Sequence, residues 1–152
     1  MDYTVRMAQP GDLETLVSFT LAEAADAEGR RIDPNTARRG IAAALADPAV
    51  AMYWVLEDGS GRAAGNISVV REWSNWLAGY YWWIQSLYIQ PEYRGRGLMR
   101  RLVAAVVEEA RRQGALDLRL YAHRDNARAL HAYLREGFGE MPYVIMAMAL
   151  GE

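Results

Sequence analysis

The run Arg94-Gly-Arg-Gly-Leu-Met-Arg100 follows the apolar stretch Ile84-Gln-Ser-Leu-Tyr-Ile89 and leads into a helical pattern from about Leu98. The first N–H groups of a helix have no intrahelical partner, and the helix dipole puts positive charge at the same end. A glycine-rich turn ahead of such an end is an anion site, most often for phosphate. Arg94 and Arg96 add forked cationic donors within the turn. The glycines do not complete a dinucleotide fingerprint, because Arg100 stands at the third glycine position, and no Walker A sequence is present. The competing reading is structural: glycines that make a tight strand-to-helix turn.

The elements that must position this turn follow from periodicity and punctuation. Tyr3 to Met7 reads as a strand, and Pro10-Gly11 as a turn. Asp12 is a candidate N-cap for a helix from Leu13 to about Ala27. Asp33-Pro34 has the form of an N-cap followed by proline at the first helical position, opening a second helix to about Ala46. Val50–Glu57 and Ala63–Arg71 read as strands around the turn residues Asp58-Gly-Ser-Gly61, with a loop from Glu72 to Gly79 before a long strand Tyr80–Ile89. Leu98, Leu102, Val103, Val106, Val107 and Ala110 form one stripe of a helix that Gly114 stops. Leu116, Leu118 and Leu120 alternate with polar residues as a strand, and Asp125 or Asn126 caps a helix to about Glu136. Tyr143 to Leu150 is expected to close the sheet.

The order β-α-α-β-β-β-α-β-α-β, hairpins first and a crossover later, predicts an α+β fold. Its sheet is mixed and mostly antiparallel, with helices on both faces and one domain over residues 1–152. A net charge of −2 leaves no global basic field for nucleic acid. The absence of cysteine excludes disulfides, Cys-ligated metal and a Cys nucleophile, and two histidines argue against a His-rich metal site. No apolar run is long enough to span a bilayer, so the expectation is a soluble cytoplasmic protein with no membrane partner.

Two motifs together carry a family resemblance. Pro91-Glu-Tyr-Arg-Gly-Arg-Gly-Leu-Met-Arg-Arg-Leu102 resembles the acyl-CoA pyrophosphate loop of the GNAT superfamily of N-acyltransferases, of the form Gln/Arg-x-x-Gly-x-Gly/Ala. Arg94 and Gly97 match its first two fixed positions, and Met99 departs from the last. Asn126-Ala-Arg-Ala-Leu-His-Ala-Tyr-Leu-Arg-Glu-Gly-Phe138 is similar to the second signature, an Asn, then a Tyr seven residues on, then Gly-Phe.

The resemblance implies an acetyl-CoA-dependent N-acetyltransferase acting on a primary amine of a small molecule or peptide. N–H groups of Gly95, Arg96, Gly97, Leu98 and Met99 would hold the pyrophosphate, with the arginines at the phosphates or on a solvated face. The pantetheine amides would pair with open backbone of Leu87, Tyr88 and Ile89, which a strand splaying from its neighbour after Ile84 would supply. Tyr133 stands where the family has the general acid that protonates the leaving thiolate, and Asn126 would bond the pantetheine or cap its helix.

An amine of pKa about 10.4 is protonated at neutral pH and must lose a proton before it attacks. Many relatives have an acid on the strand before the turn, but Gln85 stands there and an amide is no base. Glu72, at the end of the preceding strand, is the carboxylate that sequence favours, with an ordinary surface residue as its alternative. Glu23, Asp26 and Glu28 could line the acceptor site or be solvated charges. With Gln85, the rings of Trp73, Trp76 and Trp83 could wall an acceptor pocket through cation–π contact. They could equally pack as core or pair two copies into a homodimer. Two other functions are compatible with these residues: an acyl-CoA-binding module without turnover, and an interaction protein using its aromatic strand.

Overall fold

The computed structural model describes residues 2–151, so the terminal residues of the expected 1–152 span lie outside the described residues. In chain order the elements are β1 (Thr4–Met7), α1 (Leu13–Glu28), α2 (Pro34–Ala46), β2 (Met52–Glu57), β3 (Ala63–Ser74), β4 (Gly79–Ile89), α3 (Leu98–Arg112), β5 (Asp117–Leu120) and α4 (Ala127–Arg135). The sheet runs β1-β2-β3-β4-β5. The first three pairings are antiparallel, and the β4–β5 pairing across the α3 crossover is parallel.

Alternation along β2 divides the protein into two layers. Met52, Trp54 and Leu56 join Ile67, Val69, Trp82 and Ile84 in the core under α3, whose stripe of Leu98, Leu102, Val103, Val106 and Ala110 is buried. Val55 points to the other side, against Leu16, Val17 and Ile41 of α1 and α2. Helices therefore cover both faces, as the period-2 and period-3.6 patterns require.

Local chemistry explains most boundaries. Asp33 accepts the Thr36 N–H at 2.8 Å and caps α2, with Pro34 behind it. Gly29, at φ +63°, ends α1 in the left-handed conformation that favours glycine. Asp12 stands at the N-cap position of α1, as the sequence predicts, but its side chain accepts no N–H of that helix. Its carboxylate accepts the Gln9 N–H at 2.7 Å and a two-armed Arg6 pair at 2.8 and 2.9 Å, because Arg6 stands within reach on β1 and a charged partner outcompetes a helix N–H. Arg6 also reaches Glu57 at 3.1 Å, tying the β1–α1 turn to β2.

Two further differences from the sequence reading concern strand ends. β3 continues through Glu72, Trp73 and Ser74, paired to Tyr81, Tyr80 and Gly79, so the expected loop is strand ladder up to a short turn. The expected closing strand Tyr143–Leu150 makes no strand pairing, and residues 141–150 are all exposed. Pro142 disfavours turn and helical conformations at Met141, and a strand without a ladder partner has no hydrogen bonds of its own.

Gly65 of β3 lies close against β4 and leaves no room for a side chain. A Cβ there would lie 2.3 Å from the Tyr88 carbonyl oxygen, a backbone atom that cannot swing aside. Gly65→Ala should therefore lower stability by about 2 kcal/mol, the scale of overpacking a filled interior. Thermal denaturation checks this, and a Tm equal to that of the parent chain would contradict it.

Candidate active site

The site begins as an interruption of the sheet. β4 and β5 pair from Tyr81↔Asp117 to Ile84↔Leu120 and no further. At the same level the β3–β4 register shifts, with Val69 opposite Ile84 and Ser68 opposite Ser86, so Gln85 is an extra, bulged residue. Beyond the bulge β4 keeps β3 on one side and turns an open backbone edge to the other. Ser68 and Ser86 bond each other beneath it, and Asn66 donates to Ser86 Oγ at 3.4 Å.

A cleft of about 910 Å³ opens along this edge, between α1, the start of α3, the end of β5 and α4. Leu87, Tyr88 and Ile89 form one wall, and Tyr133 and Asn126 belong to another. The Leu87 N–H donates to Glu23 Oε2 at 2.9 Å. Burial pushes the Glu23 carboxyl from its ordinary 4.5 up to about 7; the Leu87 bond opposes the rise and the charge of Glu28 adds to it. Tyr133 packs edge-to-face on Phe138 with ring centroids 5.8 Å apart. Burial, and secondarily the charge of Glu23, pushes its phenol up to about 12 and keeps it a proton donor at neutral pH.

The floor of the cleft is the glycine turn. Gly95 and Gly97 sit at φ +78° and +72°, and space beside both is open. Gly97 stands at the N-cap of α3 and no side chain caps the helix, so its first N–H groups face outward unclaimed. Arg94 fixes the turn from below, donating from Nε to the Ile89 carbonyl at 2.8 Å and from Nη2 to Asp26 at 3.2 Å. Open strand backbone, an uncapped helix N-terminus and a proton-donating phenol thus share one cleft. That combination fits a long amide chain with an anionic end and a reactive thiol ester, the chemistry of acetyl-CoA.

A second cavity of about 580 Å³ lies on the far side, lined by α2 residues including Thr36, Ala37, Gly40 and Ile41 together with Val50, Ala51 and Val70. It shares Thr20, Tyr53 and Gln85 with the first, so the two meet beside the bulge. The Thr20 hydroxyl is buried there with no protein partner.

Other candidates fall elsewhere. Arg96 points back into the body, donating to the Tyr3 hydroxyl at 3.0 Å and to the Glu92 carbonyl at 3.1 Å. Arg100 is exposed and paired with Glu136. Asn126 caps α4 by accepting the Ala129 N–H at 3.2 Å, while still bordering the cleft. Met99 and Leu98 line the cleft, with Leu98 buried and Met99 half-buried against the core. Gln85 lies at the junction of the cavities, whereas Glu72, Trp73, Trp76 and Trp83 line neither. Glu72 stands opposite Tyr81, six residues along β4 from Leu87, which is about 20 Å of extended strand. It accepts the Trp83 indole N–H at 2.7 Å. The structure does not bring Glu72 to the cleft, because the ladder that absorbs it carries it toward the hairpin tip. Asp26, Glu28 and Glu136 also line the cleft, but Glu23 is the carboxylate bonded to the open edge at Leu87. Its sequence signal is a position on the apolar stripe Leu16, Thr20, Glu23, Ala27, where a charge needs a reason.

Known proteins agree with this architecture. The family model described as "Acetyltransferase (GNAT) family" matches residues 21–138. A possible acetyltransferase from Clostridium difficile 630 is 26% identical, with 99% of each chain covered and a TM-score of 0.92. A ribosomal-protein-alanine N-acetyltransferase from Brucella melitensis biovar Abortus 2308 shares the fold at 17% identity, covering 99% of this chain and 100% of that one, with a TM-score of 0.78. So does a predicted acetyltransferase with acetyl-CoA from Clostridium acetobutylicum, at 19% identity, 97% and 96% coverage and a TM-score of 0.77. No curated protein matches the chain significantly. No helix among the described residues is long and apolar enough to cross a membrane.

The buried carboxyl has a consequence for stability. The folded state holds the Glu23 proton up to about pH 7, whereas the unfolded chain releases it near its ordinary 4.5. The native state is therefore favoured fully below that lower value, and the advantage is lost as pH rises through 7. Glu23→Gln removes the ionisation, and should make the protein up to about 3 kcal/mol more stable than the parent at pH 8, with little difference at pH 4. Denaturant melts at the two pH values test this, and parallel losses in both proteins would contradict it.

Proposed function

The chain belongs to the acetyltransferase (GNAT) family, and on that premise we propose that it moves an acetyl group from acetyl-CoA to a primary amine of a small molecule or peptide by direct attack, with Glu23 as general base and Tyr133 as general acid. It is an acetyl-CoA-dependent acyltransferase; the acceptor class and the two roles are our reading. The observation that carries it is the convergence of the Leu87 N–H, the Glu23 carboxyl and the Tyr133 phenol on one cleft at the split in the sheet.

Acetyl-CoA supplies an acyl thioester whose carbonyl oxygen gains negative charge as the amine adds. Leu87 offers a backbone N–H to that oxygen, a donor that needs no reorganisation. Glu23 now accepts this N–H, and its displacement frees a carboxylate next to the reacting atoms. With a pKa of about 7 the carboxyl is half ionised at neutral pH, where a base works best. An apolar environment lowers the pKa of a bound ammonium toward that value. Two protons leave the amine nitrogen during a turnover. Glu23 takes the first and passes it to solvent. The second makes good the proton that Tyr133 gives to the thiolate, so the products are amide, thiol and one released proton.

The adjoining cavity lined by α2 supports an acceptor route separate from the acetyl-CoA cleft, since the two meet at Thr20, Tyr53 and Gln85 beside Glu23. Gln85 can orient an amine through its amide oxygen without acting as a base.

Thiol release from acetyl-CoA, followed over a panel of amines and across pH, tests the reading. With a productive acceptor, kcat/KM should rise through an apparent pKa near 7. Glu23→Gln should lower kcat about 100-fold and abolish that inflection. Tyr133→Phe should lower kcat on the order of 10-fold or more with little change in the KM for acetyl-CoA. A Tyr133→Phe enzyme as fast as the parent would remove the acid role, and an unchanged pH profile in Glu23→Gln would remove the base role.

A further inference from the structure

The two cavities that meet beside the bulge differ in charge. The acetyl-CoA cleft is lined by Arg94, Arg100, Arg128 and Arg135. Among the described residues that line the α2 cavity, none is arginine or histidine, and the chain has no lysine. The charged residue in that lining is Asp33, an anion. Its carboxylate accepts the N–H and the hydroxyl of Thr36 at 2.8 and 2.9 Å, bonds that hold it below the usual carboxylate range. The rest of the lining is mostly hydrocarbon, from Ala37, Gly40, Ile41 and Ala44 on one face of α2 and from Val50 and Val70. Ala37, Gly40 and Ala44 carry at most a methyl group, and a Cβ at Gly40 would meet nothing within 4 Å.

The remaining polar side chains are gathered where the cavities join, at Thr20, Tyr53 and Gln85. The Thr20 hydroxyl is buried and bonded to no protein group, so its desolvation is uncompensated until something donates to it. Thr20 and Glu23 lie three positions apart on α1 and so share a face of that helix. An amine that donates to Thr20 Oγ1 is thereby set next to the carboxyl that would take its proton, with the Gln85 amide oxygen as a second acceptor. The body of the amine then lies along α2. A carboxylate carried there would meet Asp33 and no cation, and a peptide would bury its amides against hydrocarbon. An alkyl or aryl group gains from the same walls.

We propose that the acceptor is a small alkylamine or arylalkylamine without a carboxylate, its nitrogen at Thr20 and Gln85 and its apolar body along α2. This assignment rests on the transfer reading above and narrows its acceptor class. The nitrogen adds to the thioester carbonyl and the C–S bond breaks. The ammonium substrate becomes an N-substituted acetamide, with the CoA thiol and one proton released. Charge recognition is thus confined to the cofactor cleft, and the acceptor is selected by its apolar body and by the absence of a second charge.

Matched probes that differ only in a carboxylate test this: phenethylamine against phenylalanine, and hexylamine against aminohexanoate, with phenylalanylglycine as the peptide. Titrated calorimetrically into the protein saturated with CoA, the two plain amines should bind about 100-fold more tightly than their carboxylated partners, and kcat/KM from thiol release should follow the same order. Gly40→Leu, which fills the cavity while favouring the helix, should raise the KM for phenethylamine about 10-fold and leave the KM for acetyl-CoA unchanged. Thr20→Val should raise the KM for phenethylamine about 10-fold with no loss of Tm, whereas a merely structural hydroxyl would leave that KM alone. Equal or better use of phenylalanine, aminohexanoate or the peptide would overturn the assignment and leave acetyl transfer standing, as would an unchanged acceptor KM in both variants. Thiol release with no amine at all would instead remove the transfer reading, and the acceptor assignment with it.

Discussion

The parting of β4 from β5 after Ile84 is the constraint from which the site follows. A backbone edge opened inside a protein leaves N–H and C=O groups that must find partners. On one side β3 still supplies them. On the other the Leu87 N–H is satisfied by a side chain from α1, the Glu23 carboxylate. A bulge at Gln85 makes the parting geometrically possible, because one extra residue bends β4 while leaving its β3 ladder intact on both sides. On the side away from the gap, Gly65 lets β3 lie close against β4 at Tyr88.

The electrostatics of the cleft are a consequence of that gap. Glu23 sits among apolar neighbours because α1 must pack its stripe on the sheet, and the open edge lies where the stripe reaches its last turns. Desolvation raises the carboxyl and the phenol of Tyr133 together, and the charge of Glu23 reinforces the second shift. Near neutrality the carboxyl can therefore accept a proton and the phenol can donate one, the states that the proposed roles call for. Arg94 and Arg96 do different work from each other despite flanking a single glycine. Arg94 ties the turn to β4 and α1, and Arg96 ties it to β1 through Tyr3. The cationic turn is held by these bonds, and the backbone N–H groups at the start of α3 are left without a side-chain cap.

The sequence made legible what depends on short spacing. The glycine turn, the helix it opens, the Asp33–Pro34 cap and the Asn126–Tyr133 helix rest on residues within a few positions of each other, and the structure has each of them; the split after Ile84 was implied by the family resemblance, and the β4–β5 ladder does end there. What depends on long-range placement was not legible. Glu23 meets Leu87 across 64 positions of sequence, and nothing local reveals that α1 lies over the gap. Glu72 looked like the end of a strand, but aromatic and β-branched neighbours carried the ladder on to Ser74 and took the carboxylate with it. Asp12 had the form of a helix cap, yet Arg6 and Gln9 claimed it through contacts that helix propensity does not encode. The C-terminal run has the composition of a strand, but strand formation needs a partner edge, and composition does not say whose.

The position of the base also bears on what a motif can transmit. Chemistry requires a proton acceptor near the atoms at the split, not on a particular strand. An acid on β4 before the turn would meet that need, and so would an acid on α1 facing the same gap, where Glu23 is held against the Leu87 N–H. Gln85 then becomes intelligible as a polar, uncharged residue at the bulge. Gln85 and Glu23 line the same cleft, and a carboxylate at Gln85 would add a second negative charge to it. On the proposed assignment of the base to Glu23 of α1, an amide at Gln85 is the compatible partner. That assignment also makes the acceptor cavity and the base share an element, since α1 walls both cavities at Thr20. If Glu23 is the base and the α2-lined cavity takes the amine, a change in α1 that reshapes that cavity also moves the proton acceptor, which would couple substrate choice to rate in a way that a base on β4 would not.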